Sequence, residues 1–491
     1  MQKHILSKST FIKGQQCEKA LYYHKHNREW RDDLSAAQVA IFAQGTAVGE
    51  LAQQLFPGGV DCSPESAYDF RAAVLRTKEE IEKGTAIIYE AAFQFDGVLA
   101  ALDILVKQPD GWRAYEVKSS TSVSETYELD AAIQYYTIVN SGIDLKDISI
   151  VHINNQYVKD GPLDITQLFA IQSVKESVLK LVNDIPQKVN KLKQVLQQAQ
   201  APVVDIGPHC STPYQCDFAG HCWKHIPSYS VFNISDLRTK KKFDLYHKKV
   251  LHFKDIPEDY PLNEAQWKQV NCELQNKEHI DKPAIRSFVK GLNYPIHYLD
   301  FETFATAIPV FDGSRPYQQL VFQYSLHIEH ENGVIEHKAY LAKTDGSDPR
   351  ISFIQQLVAD CATQGDILVY NIGFERGKLE DLKKYAPSYS AQIQGLIHRL
   401  KDLMVPFAQQ WFYRPQMKGS YSIKYVLPAL VPELSYADLN IKEGGTASNT
   451  FAQMILGKFN GNEDQARKDL LDYCQLDTWA MVKILEVLKK V

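Results

Sequence analysis

The chain has 491 residues, and its 54 Lys and Arg against 59 Asp and Glu give a formal net charge of −5. Hydrophobic residues at 45% and charged residues at 23% exclude a disordered or fibrous chain, and the length predicts two or three domains. No run approaches the ~20 apolar residues of a membrane-spanning helix, and the opening MQKHILSKSTFIKGQQCEKA lacks a signal-peptide core, so a cytoplasmic protein with no membrane partner is expected.

Residues 1 to about 60 carry helical periodicity in ALYYHKHNREW and AAQVAIFAQGTAVGELAQQLF. From about 85 to 120 the pattern predicts the strands TAIIYEAAFQF, GVLAALDILVKQ and WRAYEVKSS, the last two joined by a turn at Pro109-Asp110-Gly111. A helix through ELDAAIQYYTIV, the strand DISIVHIN and long helices to about residue 200 come next. Between about 230 and 290 the text turns polar and basic and predicts a helical linker. Its cations, among them Arg238, Lys240, Lys241, Lys242, Lys248 and Lys249, read first as a solvated face and second as contacts to a nucleic-acid backbone. The acidic total argues only weakly against such a partner, because a basic channel can hide inside a neutral sum. A second α/β pattern runs from PIHYLDFETF through VFQYSLHIEH, GVIEHKAYLA, SFIQQLVADCA and DILVYN to the closing helix QARKDLLDYCQLDTWAMVKILEVL. The expected fold class is α/β, with helices covering mixed sheets, divided as 1–228, 229–290 and 291–491.

Two carboxylate constellations stand out. In the first, Glu116 and Lys118 sit two apart in a strand and project to one face, and a hairpin brings Asp103 alongside. Two carboxylates and an ammonium on one sheet face fit a phosphodiesterase site holding Mg²⁺ or Mn²⁺. A surface Glu-Lys pair is the bland alternative, but Asp103 lies in LAALDILV, where an unpartnered charge is costly. Glu50, in Gly45-x3-Gly49-Glu50, and Glu90 are candidate further ligands, with a structural salt bridge equally open for Glu90.

This arrangement resembles the PD-(D/E)XK (restriction-endonuclease-like) nucleases, and within them the RecB and Cas4-like branch. The resemblance implies that Asp103, Glu116 and Lys118 are catalytic, that Glu50 stands at a further metal-ligand position, and that Gln134 matches the Gln of the helix after the catalytic strands. Where the branch often continues Gln-x3-Tyr, position 138 is Ile, with Tyr135 and Tyr136 nearer. It also implies a role for four of the eight cysteines. Cys17, in FIKGQQCEKALYY, and Cys210, Cys216 and Cys222, in HCSTPYQCDFAGHC, match the cysteines that bracket the nuclease fold and bind a [4Fe-4S] cluster. Four thiolates also suit zinc, and that alternative stays open.

In the second constellation, Asp300 and Glu302 share one strand face, Glu375 comes after a strand in LVYNIGFERGKL, and Tyr473 and Asp477 lie one helical turn apart. Converging carboxylates in an α/β domain are what a two-metal phosphoryl-transfer site requires. This set resembles the DEDD exonucleases of the ribonuclease H-like fold, in the variant with a tyrosine in its third motif. Asp300 and Glu302 match the first motif, Glu375 the second, and Tyr473 with Asp477 the third. The second motif normally ends in Asp, and here it reads NIGFE. Asp402, in LKDLMVPF, receives no catalytic role, and Lys424 reads first as a surface cation and second as a group facing the substrate. The whole chain resembles bacterial proteins that join a Cas4-like region to a DUF2779-type, DEDD-like domain.

The expected protein is therefore a metal-dependent nuclease with two active sites, cutting DNA and acting on single-stranded ends. The alternatives are a nucleic-acid-binding or assembly module with one or both sites inactive, and an RNA-processing exonuclease. No P-loop sequence is present, so any unwinding would come from a separate helicase or repair partner.

Overall fold

The computed structural model describes residues 5–66 and 69–491. The chain forms two compact units, Met1–His225 with Thr306–Tyr317, and Ile226–Ala305 with Gln318–Val491. This differs from the three-part expectation in two ways. The stretch expected as a linker is packed within the second unit, where Val231, Ile234, Leu237, Leu245, Phe253 and Val270 give it a core of its own. In addition, Ala307, Ile308 and Tyr317 leave the second α/β pattern to pack with Val48, Val151 and Ile153 of the first unit.

The first unit is built on a seven-stranded mixed sheet. Its strands are β1 (Leu6–Ser7), β2 (Val60–Asp61), β3 (Ile87–Phe95), β4 (Val98–Gln108), β5 (Gly111–Lys118), β6 (Leu145–Ile153) and β7 (Phe169–Ser173). They lie in the order β2-β3-β4-β5-β6-β7, with β1 added parallel to β4. An Asp96-Gly97 turn, both residues at positive φ (44° and 66°), closes the β3–β4 hairpin, as a two-residue hairpin turn requires. β7 corrects the expectation of uninterrupted helix after β6: the alternating FAIQS pairs antiparallel with β6 and completes that edge.

Helices α1 (Lys8–Gln16), α2 (Glu18–His26), α3 (Ala36–Ala52), α4 (Phe70–Lys83), α5 (Glu125–Asn140) and α6 (Ile185–Gln197) accompany this sheet. Ala131, Ala132, Ile133 and Tyr136 of α5 pack with Ala91, Leu102 and Ile150 of the strands, the main core of the unit. Burial of such side chains at ~25 cal/mol per Å² is the principal force holding α5 to the sheet. That packing fixes the helix face that carries Asp130 and Gln134.

The second unit adds a short pair, β8 (His279–Ile280) with β14 (Phe412–Tyr413), to a five-stranded sheet. The sheet comprises β9 (Ile296–Phe304), β10 (Leu320–Glu329), β11 (Ile335–Leu341), β12 (Ile367–Val369) and β13 (Leu400–Asp402), ordered β11-β10-β9-β12-β13. β9 is central, antiparallel to β10 and parallel to β12. The helices that matter for the site are α7 (Thr239–His247), α8 (Glu264–Gln275), α9 (Ile372–Tyr385), α10 (Ile423–Leu430), α11 (Gly444–Ile455) and α12 (Glu463–Lys489). Asn462 caps α12 by accepting from the Gln465 amide, and the helix buries Leu470, Tyr473, Cys474, Asp477, Met481 and Leu485 at helical spacing. One buried face therefore carries both core residues and candidate ligands. Among the described residues, no helix is long and apolar enough to cross a membrane.

Candidate functional site

In the second unit, ligand atoms of Asp300, Glu302 and Asp477 lie within 4.8 Å of one another, the only such group of three or more His, Cys, Asp or Glu among the described residues. Asp300 and Glu302 come from the central strand β9 and Asp477 from α12. The three line a cleft of ≈ 230 Å³ together with Tyr370, Phe374, Lys424 and Tyr473. Glu375, in the first turn of α9, is buried, and its Oε2 has no hydrogen-bond partner.

Packing these acids together has an electrostatic cost. Burial, then the charges of Asp477, Glu302 and Glu375, push Asp300 well above the usual carboxylate range. Burial and Asp477 do the same to Glu302, with Lys424 opposing. Asp477 is pushed up to about 6 by burial, against Tyr436, Lys424 and Tyr473. Glu375 is pushed up to about 8, chiefly by burial. An all-oxygen, acid-rich donor set with an orphaned buried carboxylate oxygen fits a hard divalent cation such as Mg²⁺ or Mn²⁺.

Three further neighbours complete the cleft. The Tyr436 hydroxyl donates to Asp477 Oδ1 at 2.6 Å. Lys424 donates to the Lys442 carbonyl at 2.7 Å, and its Nζ stands 5.6 Å from the ring centroids of both Tyr436 and Tyr473. It lines the cleft and is partly exposed. Cys474, buried beside Asp300, places Sγ 3.7 Å from Oδ2.

Asp402 holds the second-motif segment. Its carboxylate accepts from the amides of Asn371 and Ile372, both at 3.1 Å, at the head of α9, and from Met404 at 2.9 Å. Asp402→Ala is therefore expected to destabilise the second unit by about 1–2 kcal/mol, the scale of a lost helix cap. Urea denaturation checks this, and any activity of the cleft should fall with it because Glu375 sits one turn further on.

The first unit brings Asp103, Glu116 and Lys118 together where β4 and β5 part. The pairing of those strands begins at Ile104 opposite Tyr115, so Asp103 lies just beyond the ladder, and its Oδ2 accepts the Val117 amide at 2.6 Å. Glu116, only 2% exposed, receives Lys118 at 2.8 Å and Lys8 at 2.6 Å on the same Oε1, and Lys118 also bonds Asp130 at 2.6 Å. Burial pushes the Glu116 carboxyl up, but Lys118 and Lys8 together outweigh it and hold it at about 2. Burial and the Glu116 charge push Asp103 up to about 7.

Glu90, at positive φ beside the site, is raised by burial and adds to the Asp103 shift. Gln134 lies one turn from Asp130 on α5, fully buried, with neither amide atom partnered. Glu50 differs from the set: it is exposed on α3 and has no ion pair with the others. The additional residue is Lys8. It lies 108 positions from Glu116, and no local spacing could have signalled it.

Cys17 is the residue between α1 and α2. With Cys216 and Cys222 it packs against Tyr23 and Phe218, and Cys210 acts electrostatically on all three. Burial pushes the Cys17 and Cys216 thiols up, Cys216 to about 11. The amides of Ala20 and Lys19 facing Cys17, and of Phe218 facing Cys216, favour the thiolates.

Residues 297–422, which hold Asp300, Glu302, Glu375 and Asp402 but not Tyr473 or Asp477, match the domain of unknown function DUF2779. An uncharacterized protein of Ureaplasma parvum is 26% identical over 351 residues, 64% of this chain and 50% of its own length. Uncharacterized proteins of Mycoplasma pneumoniae and Mycoplasma genitalium are 28% and 25% identical, each across 38% of this chain and 31% of the relative. The chain thus carries a DUF2779 match and spans half or less of the length of the curated relatives it resembles.

Proposed function

We propose that this chain is a metal-dependent nuclease whose best-built active site is the carboxylate cleft of the second unit. The observation that carries this reading is the convergence of Asp300, Glu302 and Asp477 within 4.8 Å, with buried Glu375 beside them. Four acids held at such a cost make sense chemically when divalent cations offset them. The β11-β10-β9-β12-β13 order, with the first two acids on the central strand, supports a ribonuclease H-like reading of the domain.

Asp300, Glu302, Asp477 and Glu375 would hold Mg²⁺ or Mn²⁺. When bound, such ions polarise a phosphodiester and lower the pKa of a water. Tyr473, whose phenol bonds Asp477, orients the attacking water, and Lys424 offsets negative charge at the mouth of the cleft. The test is hydrolysis of single- and double-stranded DNA and RNA with Mg²⁺ or Mn²⁺, in parent and Asp300→Asn. A parent that degrades none of them sinks the proposal.

The first unit supports a second, PD-(D/E)XK-like site of Asp103, Glu116 and Lys118. In it Lys8 ties Glu116 down, and Gln134 offers an unused buried amide. The four cysteines would hold a [4Fe-4S] cluster. Zinc on the same four thiolates is the alternative. Anaerobically purified protein is expected to be brown, and Cys216→Ser colourless and less stable. Zinc in stoichiometric amount with no visible absorption would favour the other metal.

One observation favours the non-catalytic reading, a nucleic-acid-binding or assembly module: Glu375 stands where the resemblance leads one to expect Asp. Asp300→Asn separates the two readings, because a binding module keeps its affinity and never had turnover to lose.

A further inference from the structure

A groove of ≈ 580 Å³ in the second unit adjoins the carboxylate cleft, and Tyr370 and Ile423 line both. The groove walls include Phe232, Lys242, Lys418, Tyr421 and Tyr425. They come from the basic stretch expected as a linker and from residues 418–425, two features that the carboxylate chemistry leaves unexplained.

The walls are preformed. Gly419 has φ +74°, and a Cβ there would come within 2.4 Å of the Asn233 carbonyl, so the 418–422 loop lies directly on the 229–275 core. Gln269, beside Gly419, is itself held by donating to Asn233 O at 3.1 Å, and the Tyr370 hydroxyl donates to Tyr421 O at 2.6 Å.

The lining chemistry alternates cations and aromatic rings. Lys242 is half-buried and makes no ion pair among the described residues, and burial lowers its pKa with only Asp236 opposing. Lys418 is exposed, Tyr425 is 46% exposed, and Lys424 stands where the path enters the cleft. Ammonium groups for a phosphate backbone and exposed rings for bases are what sequence-tolerant single-strand binding uses. The volume is that of a small organic ligand, roughly one or two nucleotides.

We propose that this groove holds a single-stranded nucleic-acid end and feeds it to the carboxylate cleft. Lys242 and Lys418 contact phosphates, and Tyr425 stacks on a base. The proposal rests on the nuclease reading of the cleft and names its substrate path.

Two substrates separate the groove from the chemistry: short single-stranded oligonucleotides, as DNA and as RNA, and bis(p-nitrophenyl) phosphate, which is too small to need the groove. Only the hydrolysis that Asp300→Asn removes is counted. In Tyr425→Ala and Lys418→Glu, both at exposed positions, KM for the oligonucleotide is expected to rise about tenfold or more. Hydrolysis of the small ester should stay at the parental rate, and Tyr425→Phe should restore the oligonucleotide KM. The nucleic acid whose KM responds is the one the groove takes.

Unchanged KM for both DNA and RNA overturns the groove and leaves the cleft reading standing, and a parallel loss on the small ester also overturns it. If Asp300→Asn removes nothing from either substrate, the nuclease reading of the cleft itself fails. Ultraviolet cross-linking of a 5-iodouracil-bearing oligonucleotide then decides the groove: attachment within residues 418–425 supports it, and attachment elsewhere or nowhere refutes it.

Discussion

Asp300→Asn is expected to lower divalent-ion-dependent hydrolysis at the carboxylate cleft by roughly 10²–10³-fold or more and, in the absence of metal, to raise the melting temperature. The two effects share one cause. Asp300 is raised by burial and by Asp477, Glu302 and Glu375, so an amide there avoids the cost of burying or protonating a carboxyl among three other acids. A residue whose loss costs activity but increases metal-free stability is serving ligand binding and not folding.

The same cluster fixes a pH dependence. Carboxyls raised on folding, such as Asp477 at about 6 and Glu375 at about 8, bind more protons folded than unfolded. Their contribution is therefore present in full below the ordinary carboxylate range and is lost as pH rises through about 6 to 8. Metal-free protein should melt several degrees lower at pH 8 than at pH 6, at about 2–4 °C per kcal/mol for a domain of this size. Added Mn²⁺ should close that gap. Calorimetry in a chelator and then in Mn²⁺ checks it, and equal melting temperatures at both pH values would falsify the electrostatic account.

Lys118→Ala is expected to have the largest effect in the first unit, on folding as well as on cleavage there. Lys118 bridges Glu116 at 2.8 Å and Asp130 at 2.6 Å, and both carboxylates are buried. Removing one member of a buried charge set typically costs about 3–5 kcal/mol, because the partner stays buried and unpaired. Here Lys8 still reaches Glu116, so Asp130 bears most of the loss, and Lys118→Ala combined with Asp130→Leu should recover part of it. Urea unfolding of the single and double variants reads this directly. The Glu116 pairs act in the opposite pH direction from the cleft. With its carboxyl held at about 2 against an ordinary 4.5, their stabilisation is present above about 4.5 and disappears as pH falls towards 2. Lys118→Ala should accordingly cost most stability above about 4.5 and narrow the gap in stability between neutral and acid pH.

Short-range geometry accounts for the part of the sites that is legible in the sequence. Period-two spacing puts Glu116 with Lys118 and Asp300 with Glu302, and one helical turn puts Tyr473 with Asp477. Each pair meets because strand and helix periodicities are fixed. Lys8, Tyr436 and Asp402 escape assignment to these sites from sequence, because they arrive by tertiary packing across tens to hundreds of positions. Glu50 shows the converse difficulty, since its neighbours in sequence say nothing about which way α3 turns its last turns. β7 is hidden for another reason: five residues between helices carry too little periodicity to register.

The excursion of Thr306–Tyr317 has a consequence for synthesis. Domains of a nascent chain generally fold in order as they leave the ribosome. The first unit cannot do so, because Ala307, Ile308 and Tyr317 complete one of its cores and are made only after the whole stretch 226–305. By then β9, with Asp300 and Glu302, has already been made, while α12 and Asp477 have not. The amino-terminal unit therefore waits for a piece encoded inside its successor, and expressing residues 1–225 alone should yield an incomplete core.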